Sequence, residues 1–339
     1  MKISENVSLR DLTTMRVGGA TRFLVEIFSE EDVVEAYRFA EERGLPVFVL
    51  GRGANTLVKD EGFSGVVLLN RTRGVEVVEN GDEMILVGKG GENWDDVVKI
   101  TTDKGYTGVE ALSAIPGTLG AAPVQNIGAY GQEVADTLIS VRVFDSVTKE
   151  FREILKEDCG FSYRRSIFNS GKEAGRYFIT EVKLGLKKGE MASPFYNSLQ
   201  RFLDEKGISD YSPKNIREAV IAVRAGKLPD PEKIASAGSF FKNVYLDEEQ
   251  AKLAEMKEIP VRRKNGENKV NTGWLIEKCG LLGAELFGFR VSEKAALVLI
   301  NERATSFADL EKAKAKIVGA VKRKFGYEIE QEPVILGDK

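Results

Sequence analysis

A stretch without a single charged side chain, Leu112 to Gly131 (LSAIPGTLGAAPVQNIGAYG), constrains this chain more than any other feature. A solvated loop normally carries charge, so this one must lie against something. Pro116-Gly117 marks a turn, with Pro presetting φ and Gly tolerating φ > 0. Gly117, Gly120, Gly128 and Gly131, with Thr118, Ala121 and Ala122 between them, leave room for close approach by another group. Backbone N–H groups exposed in such a loop suit a phosphate, whose charge they meet without Lys or Arg. The same residue types also suit a buried crossover between core elements, and they leave the two readings level.

The rest of the composition narrows the choice. At 339 residues, 42% hydrophobic and 30% charged, the chain is long enough for two or three domains with sizeable cores. A net charge of -3 offers no field for nucleic acid or an anionic membrane. No apolar run reaches the ~18 residues that cross a bilayer, and the opening MKISENVSLRDLTT has no signal-peptide core. A cytoplasmic monomer is expected, meeting neither nucleic acid nor membrane. Two cysteines, Cys159 and Cys279, are too few for a disulfide framework or a Cys-rich metal site, and no metal is expected. The absence of histidine removes Ser-His-Asp and Cys-His catalysis, and flavin attachment through His.

Along the chain, a turn-rich segment (Thr13 to Ala20) precedes a strand at Phe23 to Ile27 and a helix begun by Ser29, with Asp32 as its capping partner. A buried strand, Val47 to Leu50, runs into Gly51-Arg52-Gly53-Ala54-Asn55-Thr56. Thr56 stands where a dinucleotide fingerprint needs its third glycine, and Asn93 does so after Gly88 and Gly90, so a Rossmann domain fits poorly. Strands follow at Val66 to Leu69, Val75 to Val78 and Met84 to Val87, then a helix over Trp94 to Lys104, then strands at Ile139 to Phe144, Glu150 to Ile154 and Tyr177 to Leu186. This mixture implies an α+β chain. Further helices are expected at Tyr196 to Lys206, Pro213 to Ala225, Glu248 to Met256, Thr272 to Cys279 and Ser306 to Phe325. Ala295 to Ile300 reads as a strand, as does the tail Tyr327 to Leu336.

Four polar clusters could carry chemistry, each with a plainer alternative. Arg164-Arg165 could grip an anion bidentately, or be two surface arginines. Ser239, between Gly238 and two phenylalanines, could present its hydroxyl to a substrate, or cap a turn. Lys227, in a turn-rich junction before Pro229, could meet a phosphate, or be one solvated Lys among many. Glu332 lies two residues after Glu330, on the same face of a regular strand, which could be a solvated edge. A buried Glu332 would have to be paired or protonated.

In order, TTMRVGG, LGRGANTLV, SAIPGTLGAAPVQNIGAYG, FSYRRSIFN, RAGKLPDP, ASAGSFFKN, TGWLIEKCGLLGAELFG and ALVLIN resemble the UDP-N-acetylenolpyruvoylglucosamine reductase (UDP-N-acetylmuramate dehydrogenase) family over nearly the whole chain. The resemblance implies an FAD-binding fold of the vanillyl-alcohol oxidase (PCMH) type in two subdomains, with a third, α+β substrate-binding domain. It places them at 1–70 plus 326–339, at 71–217 and at 218–325. It implies non-covalent FAD, NADPH as hydride donor and UDP-N-acetylglucosamine enolpyruvate as substrate. FAD would be held by Gly51, Arg52, Gly53, Ala54, Asn55 and Thr56, by Ser113, Pro116, Gly117, Thr118 and Gly120, and by Asn126, Gly128 and Arg224. Ser239 matches the family's proton donor, and Arg164 with Glu332 matches the pair that stabilises the enolate. Tyr163, Lys227 and Asn243 match substrate positions. The loop near 193–199 looks like the extra tyrosine loop of one subclass, which makes Tyr196 a stacking candidate. Two positions depart from the family. Ala295 stands where Gln or His is frequent, and Pro333 where an apolar residue is frequent, which keeps Glu330 as an alternative to Glu332. A flavin oxidase on the same fold and a non-catalytic nucleotide-sugar binder are the competing functions.

Overall fold

The computed structural model describes residues 1–264, 266–304 and 306–337. Three units follow one another along the chain. The first is a four-stranded sheet in the order Lys2–Ser8, Ala20–Ile27, Phe63–Asn70, Val47–Leu50. Its first pairing is antiparallel and the other two are parallel. Parallel pairing needs a crossover, which helix α1 (Glu30–Glu41) supplies. Ser29 caps this helix by accepting from Asp32 N, and Val33, Ala36, Tyr37 and Ala40 bury its inner face on the sheet. Phe63–Asn70 is the central strand, buried on both faces after Ser64.

The second unit is an antiparallel sheet in the order Glu150–Leu155, Leu138–Asp145, Tyr177–Lys188, Glu83–Lys89, Val75–Asn80, with Tyr106–Thr107 paired to the far end of Tyr177–Lys188. Helix α2 (Trp94–Asp103), capped by Asn93, buries Trp94, Val97 and Val98 against it. A single turn, α3 (Val134–Thr137), follows the Gly-rich stretch. Helices α4 (Asn197–Lys206) and α5 (Pro213–Lys227) then pack as a hairpin around Leu199, Leu203, Ile216, Ala219 and Val220. The division expected between 217 and 218 falls inside α5. Both sides of that point contribute to one apolar cluster, so the third unit begins after Lys227.

The third unit has a four-stranded sheet, Ser236–Ser239, Val298–Asn301, Phe289–Val291, Glu285–Leu286, and a three-stranded one, Val244–Leu246, Glu267–Val270, Val261–Lys264. Helices α6 (Glu248–Met256), α7 (Thr272–Lys278) and α8 (Phe307–Phe325) complete it. Ser236–Ser239 is a strand, so Ser239 ends a strand and does not cap a turn. Gly238 has φ +66 and the register shifts between Ser236 and Ser239, as a glycine bulge allows. The strand expected at Ala295 to Ile300 starts only at Val298, after a turn.

The tail differs most from expectation. Only Val334–Ile335 forms a strand, parallel to Thr56–Leu57, and Gln331 makes one bridge with Phe241. Pro333 has no N–H to continue a ladder. Asp338 and Lys339, the end of the expected 326–339 return segment, lie outside the described residues. The first and third units share a core, in which Met15, Val17 and Leu57 pack with Phe240, Phe289 and Ile317. Asp60 caps α8 from the first unit, accepting from Phe307 N at 2.6 Å and Ala308 N at 2.9 Å. Among the described residues no helix is long and apolar enough to cross a membrane.

One buried charge anchors the second sheet. Asp145 is fully buried and accepts from Arg176 Nε (2.7 Å) and Nη2 (2.6 Å), and from Val147 N (3.0 Å). Arg176, acting first through these hydrogen bonds, pulls the Asp145 carboxyl from 3.8 to about 2. A depressed folded value stabilises above the unfolded one and is lost as the group protonates. Asp145→Asn should therefore cost about 2 kcal/mol near neutral pH. Its urea midpoint should also fall less steeply than the wild type's as pH drops from 3.8 to about 2. Superimposable acid limbs for the two proteins would contradict this.

Candidate active site

The charge-free stretch is clamped from several sides. Trp94 Nε1 donates to Leu112 O at 2.9 Å, Ser113 Oγ to Glu110 O at 2.6 Å, and Ala111 N to Gln132 Oε1 at 2.8 Å. Asp95 accepts from Ala114 N at 2.6 Å and pairs bidentately with Arg217 of α5 at 2.6 and 2.8 Å. These contacts hold Ala114 at φ +55, a left-handed position for a residue other than glycine. Further on, Leu119 N reaches Glu92 O and Gly120 N reaches Gly90 O, both at 2.8 Å. The hydroxyl of Ser113 is thus occupied in bracing the turn. Gly117 has φ +152 and open space where a Cβ would point.

The loop Gly51–Thr56 faces this stretch. A Cβ on Gly51 would lie 2.8 Å from Thr118 Oγ1, so the two loops approach as only glycine permits. Gly53, at φ +63, lies under Leu12, whose carbonyl oxygen would sit 2.1 Å from an added Cβ. Between the loops lies a cavity of about 380 Å³, lined by Thr13, Thr14, Gly51, Arg52, Asn93 and Thr118, with Arg71 and Arg73 at its edge. Of the expected cofactor residues, the cavity gathers Gly51, Arg52 and Thr118. Asn55 turns instead to Gln125 and the carbonyl of Glu332, and Thr56 is spent in pairing with the tail. The cavity also gathers Asn93, Arg71 and Arg73, single polar residues that carry no motif in the sequence.

A second cluster lies where the three units meet. Arg164, held at φ +56, donates from Nε to Glu332 Oε1 at 2.7 Å and from Nη2 to Gly128 O at 3.1 Å. Both side chains are mostly buried, 18% and 14% exposed. Burial pushes the Glu332 carboxyl above the ordinary carboxylate value, further than Arg164 pulls it down. Glu332 N donates to Phe240 O at 2.8 Å, and Lys242 N to Glu330 O at 2.9 Å. The tail therefore lies along the residues that directly follow Ser239, itself half-buried at the end of its strand. Glu330 is exposed and paired with Lys242 at 3.2 Å, so the two glutamates do not share a face as a regular strand would have them.

Tyr163 packs its ring 5.2 Å from the Arg164 guanidinium and 4.8 Å from the Tyr245 ring. Its hydroxyl accepts from Asn243 Nδ2 at 3.4 Å. Asn126 is buried and its amide is fully used, donating to Glu133 Oε2 and Ser162 O and accepting from Ala135 N. Pro116 stands in the turn beside Gly117, and Ala54 O accepts from Thr14 Oγ1 at 3.4 Å. Arg224, on α5, has a buried Nε with no partner among the described residues, and burial lowers its pKa. Lys227 ends α5 in solvent, one turn beyond Arg224 rather than in the turn-rich junction. Tyr196 precedes α4, its ring edge-on to Tyr130 at 6.0 Å. Arg224 thus brings an unpartnered buried N–H close to Tyr130 and Asp95, and glycine-built loops with such a donor nearby fit a phosphate-bearing dinucleotide such as FAD.

Residues 21–151 match the family described as FAD binding domain, and residues 230–336 match the UDP-N-acetylenolpyruvoylglucosamine reductase C-terminal domain. The UDP-N-acetylenolpyruvoylglucosamine reductase of Pseudomonas aeruginosa is 36% identical, with 98% of each chain covered. That of Ralstonia nicotianae is 39% identical over 95% of this chain and 96% of its own. The crystal structure of the Thermus caldophilus enzyme superposes with a TM-score of 0.68 at 25% identity, covering 99% of both chains. The fold is therefore the FAD-binding α+β fold of the vanillyl-alcohol oxidase type, followed by a third α+β unit.

The Asp95–Arg217 clamp gives a test of the cradle. Asp95→Ala frees Ala114 N and strands a mostly buried guanidinium, so the turn before Gly117 should loosen. FAD affinity should fall by about tenfold, roughly 1.4 kcal/mol, with far-UV circular dichroism unchanged. Undiminished affinity would mean that the turn holds its shape without the clamp.

Proposed function

This chain belongs to the UDP-N-acetylenolpyruvoylglucosamine reductase family, and we propose that it uses NADPH to reduce the enolpyruvyl ether of UDP-N-acetylglucosamine to UDP-N-acetylmuramate, a cytoplasmic step in building peptidoglycan precursors. The observation that carries the reading is the buried Arg164–Glu332 pair at the meeting point of the three units. FAD, when bound, would supply the two-electron hydride chemistry that links NADPH to the methylene carbon of the enolpyruvyl group.

The chain's own residues do the rest. Adding hydride to the methylene carbon leaves negative charge on the neighbouring carbon and its carboxylate. Arg164 meets that charge, in a site where burial strengthens the attraction. Glu332, whose carboxyl burial pushes above the ordinary carboxylate value, stays bridged to Arg164, and that bridge offsets its repulsion of the enolate. Ser239 delivers the proton to the carbon, which completes the addition of hydride and proton across the double bond. An enolate carbon is basic enough to take a proton from a hydroxyl, so the lack of histidine is no obstacle. Gly51 to Thr56, Ser113 to Gly120, Asn126, Gly128 and Arg224 are the residues proposed to hold FAD, through their backbones where the side chains are already engaged. Tyr163, Asn243, Lys227 and Tyr196 are proposed to hold the sugar nucleotide.

Anaerobic visible spectroscopy of the FAD-loaded protein separates the halves of the reaction. NADPH should bleach the flavin band, and the enolpyruvyl sugar nucleotide should restore it. Restoration by oxygen alone would identify an oxidase of another specificity, and no bleaching would leave a nucleotide-sugar binder. In Ser239→Ala, NADPH should bleach at the wild-type rate while restoration slows by about 10²–10⁴-fold. Restoration at the wild-type rate would remove Ser239 from the mechanism.

A further inference from the structure

We propose that Arg262 is a substrate-binding residue whose guanidinium grips the diphosphate of the sugar nucleotide; this rests on the substrate reading above. Arg262 lies in the strand Val261–Lys264, the edge of the three-stranded sheet. Register places Tyr245 opposite Lys269, and Lys269 opposite Arg262. Residues directly opposite one another share a face, so these three side chains form a row across the sheet. With strands ~4.8 Å apart, the row spans about 10 Å.

Both ends of the row reach residues already placed at the site. At one end the Tyr245 ring packs 4.8 Å from Tyr163, beside Arg164 and Glu332. At the other the Arg262 guanidinium lies 4.5 Å over the Tyr196 ring, which is edge-on to Tyr130. The row thus leads from the reacting end of the site to the tyrosine loop. In a nucleoside-diphosphate sugar the diphosphate sits between the reacting sugar and the base, where the cations of this row would lie.

The charge on Arg262 is available for such a contact. Among the described residues it makes no ion pair. Its neighbour Arg263, which alternation sends to the opposite face, is saturated by Glu248 at 2.7 Å and Glu255 at 3.1 Å. Stacking on an aromatic ring fixes the plane of a guanidinium while leaving its in-plane N–H groups free, as bidentate recognition of phosphate requires. Arg262 lies in none of the motifs that carry the family resemblance, so no sequence signal singles it out.

The test is calorimetric titration of the FAD-loaded full chain with UDP, for wild type, Arg262→Ala, Arg262→Gln and Arg262→Lys. Arg262→Gln keeps a planar group over Tyr196 but removes the charge. The Kd for UDP should rise by about tenfold in Ala and Gln and by less in Lys. KM for the sugar nucleotide should rise by a similar factor with kcat within about twofold, and the flavin spectrum should be unchanged. If Arg262→Gln binds UDP as wild type does, the guanidinium only packs on Tyr196 and the proposal fails. Wild-type protein that binds no UDP would overturn the substrate reading and this inference together, whereas wild-type affinity retained in all three variants overturns Arg262 alone.

Discussion

A carboxylate cannot be buried without a partner, and the contact that meets this requirement joins residues 168 positions apart, Arg164 and Glu332. Everything around Glu332 serves to bring the tail to that point. Its N–H is taken by Phe240 O in the third unit, and its carbonyl accepts from Gln125 of the second and Asn55 of the first. One residue of the tail therefore touches all three units. Two residues later Val334 pairs with Thr56 and fixes the register of the return. Arg164 contributes a left-handed backbone at φ +56, braced by the mutual hydrogen bonds of Ser162 and Arg165 and by Asn169 Nδ2 donating to Arg164 O at 3.1 Å. A strained residue persists only where its surroundings over-determine it, and these do.

That geometry also sets the electrostatics. Burial raises Glu332, while Arg164 keeps its charge because its own pKa is shifted upward by Glu332 against the opposing effect of burial. Burial likewise raises Tyr163 and Tyr130, which stay neutral and able to donate. A chain without histidine gains functional proton-holding groups by desolvation instead, and its buried arginines and tyrosines are grouped where that effect operates.

Much of this was legible in the sequence wherever local rules decide the outcome. Ser29 caps the helix it was expected to begin, and the helices expected from Trp94 and near Ser306 form at Trp94–Asp103 and Phe307–Phe325. The charge-free stretch does line up against the Gly51 loop. What failed depended on partners distant in sequence. Alternation made the tail look like a strand, but Pro333 and a single bridge to Phe241 leave it irregular, and Glu330 and Glu332 part company. Small residues hid the strand Ser236–Ser239, whose existence depends on Val298–Asn301, some 60 residues later. The amide of Asn126 is engaged by Glu133, Ser162 and Ala135, a pattern no single-residue signal could reveal.

The two ends of the site differ in how firmly they are held, and the difference follows from interaction type. At the reacting end the contact is a charge-assisted hydrogen bond, Arg164 to Glu332 at 2.7 Å, and the cradle turn is held by another, Arg217 to Asp95 at 2.6 Å. Such bonds are about twice as strong as neutral ones. At the tyrosine loop, Tyr196 is held by an edge-on ring contact and one cation–π contact, each worth about 1 kcal/mol. A hydride and a proton must reach adjacent carbons, which tolerates little displacement. The proposed nucleotide end of the site can be met by side chains that adjust. The strong contacts are placed where position decides the chemistry, and the weak ones where a bulky substrate must pass.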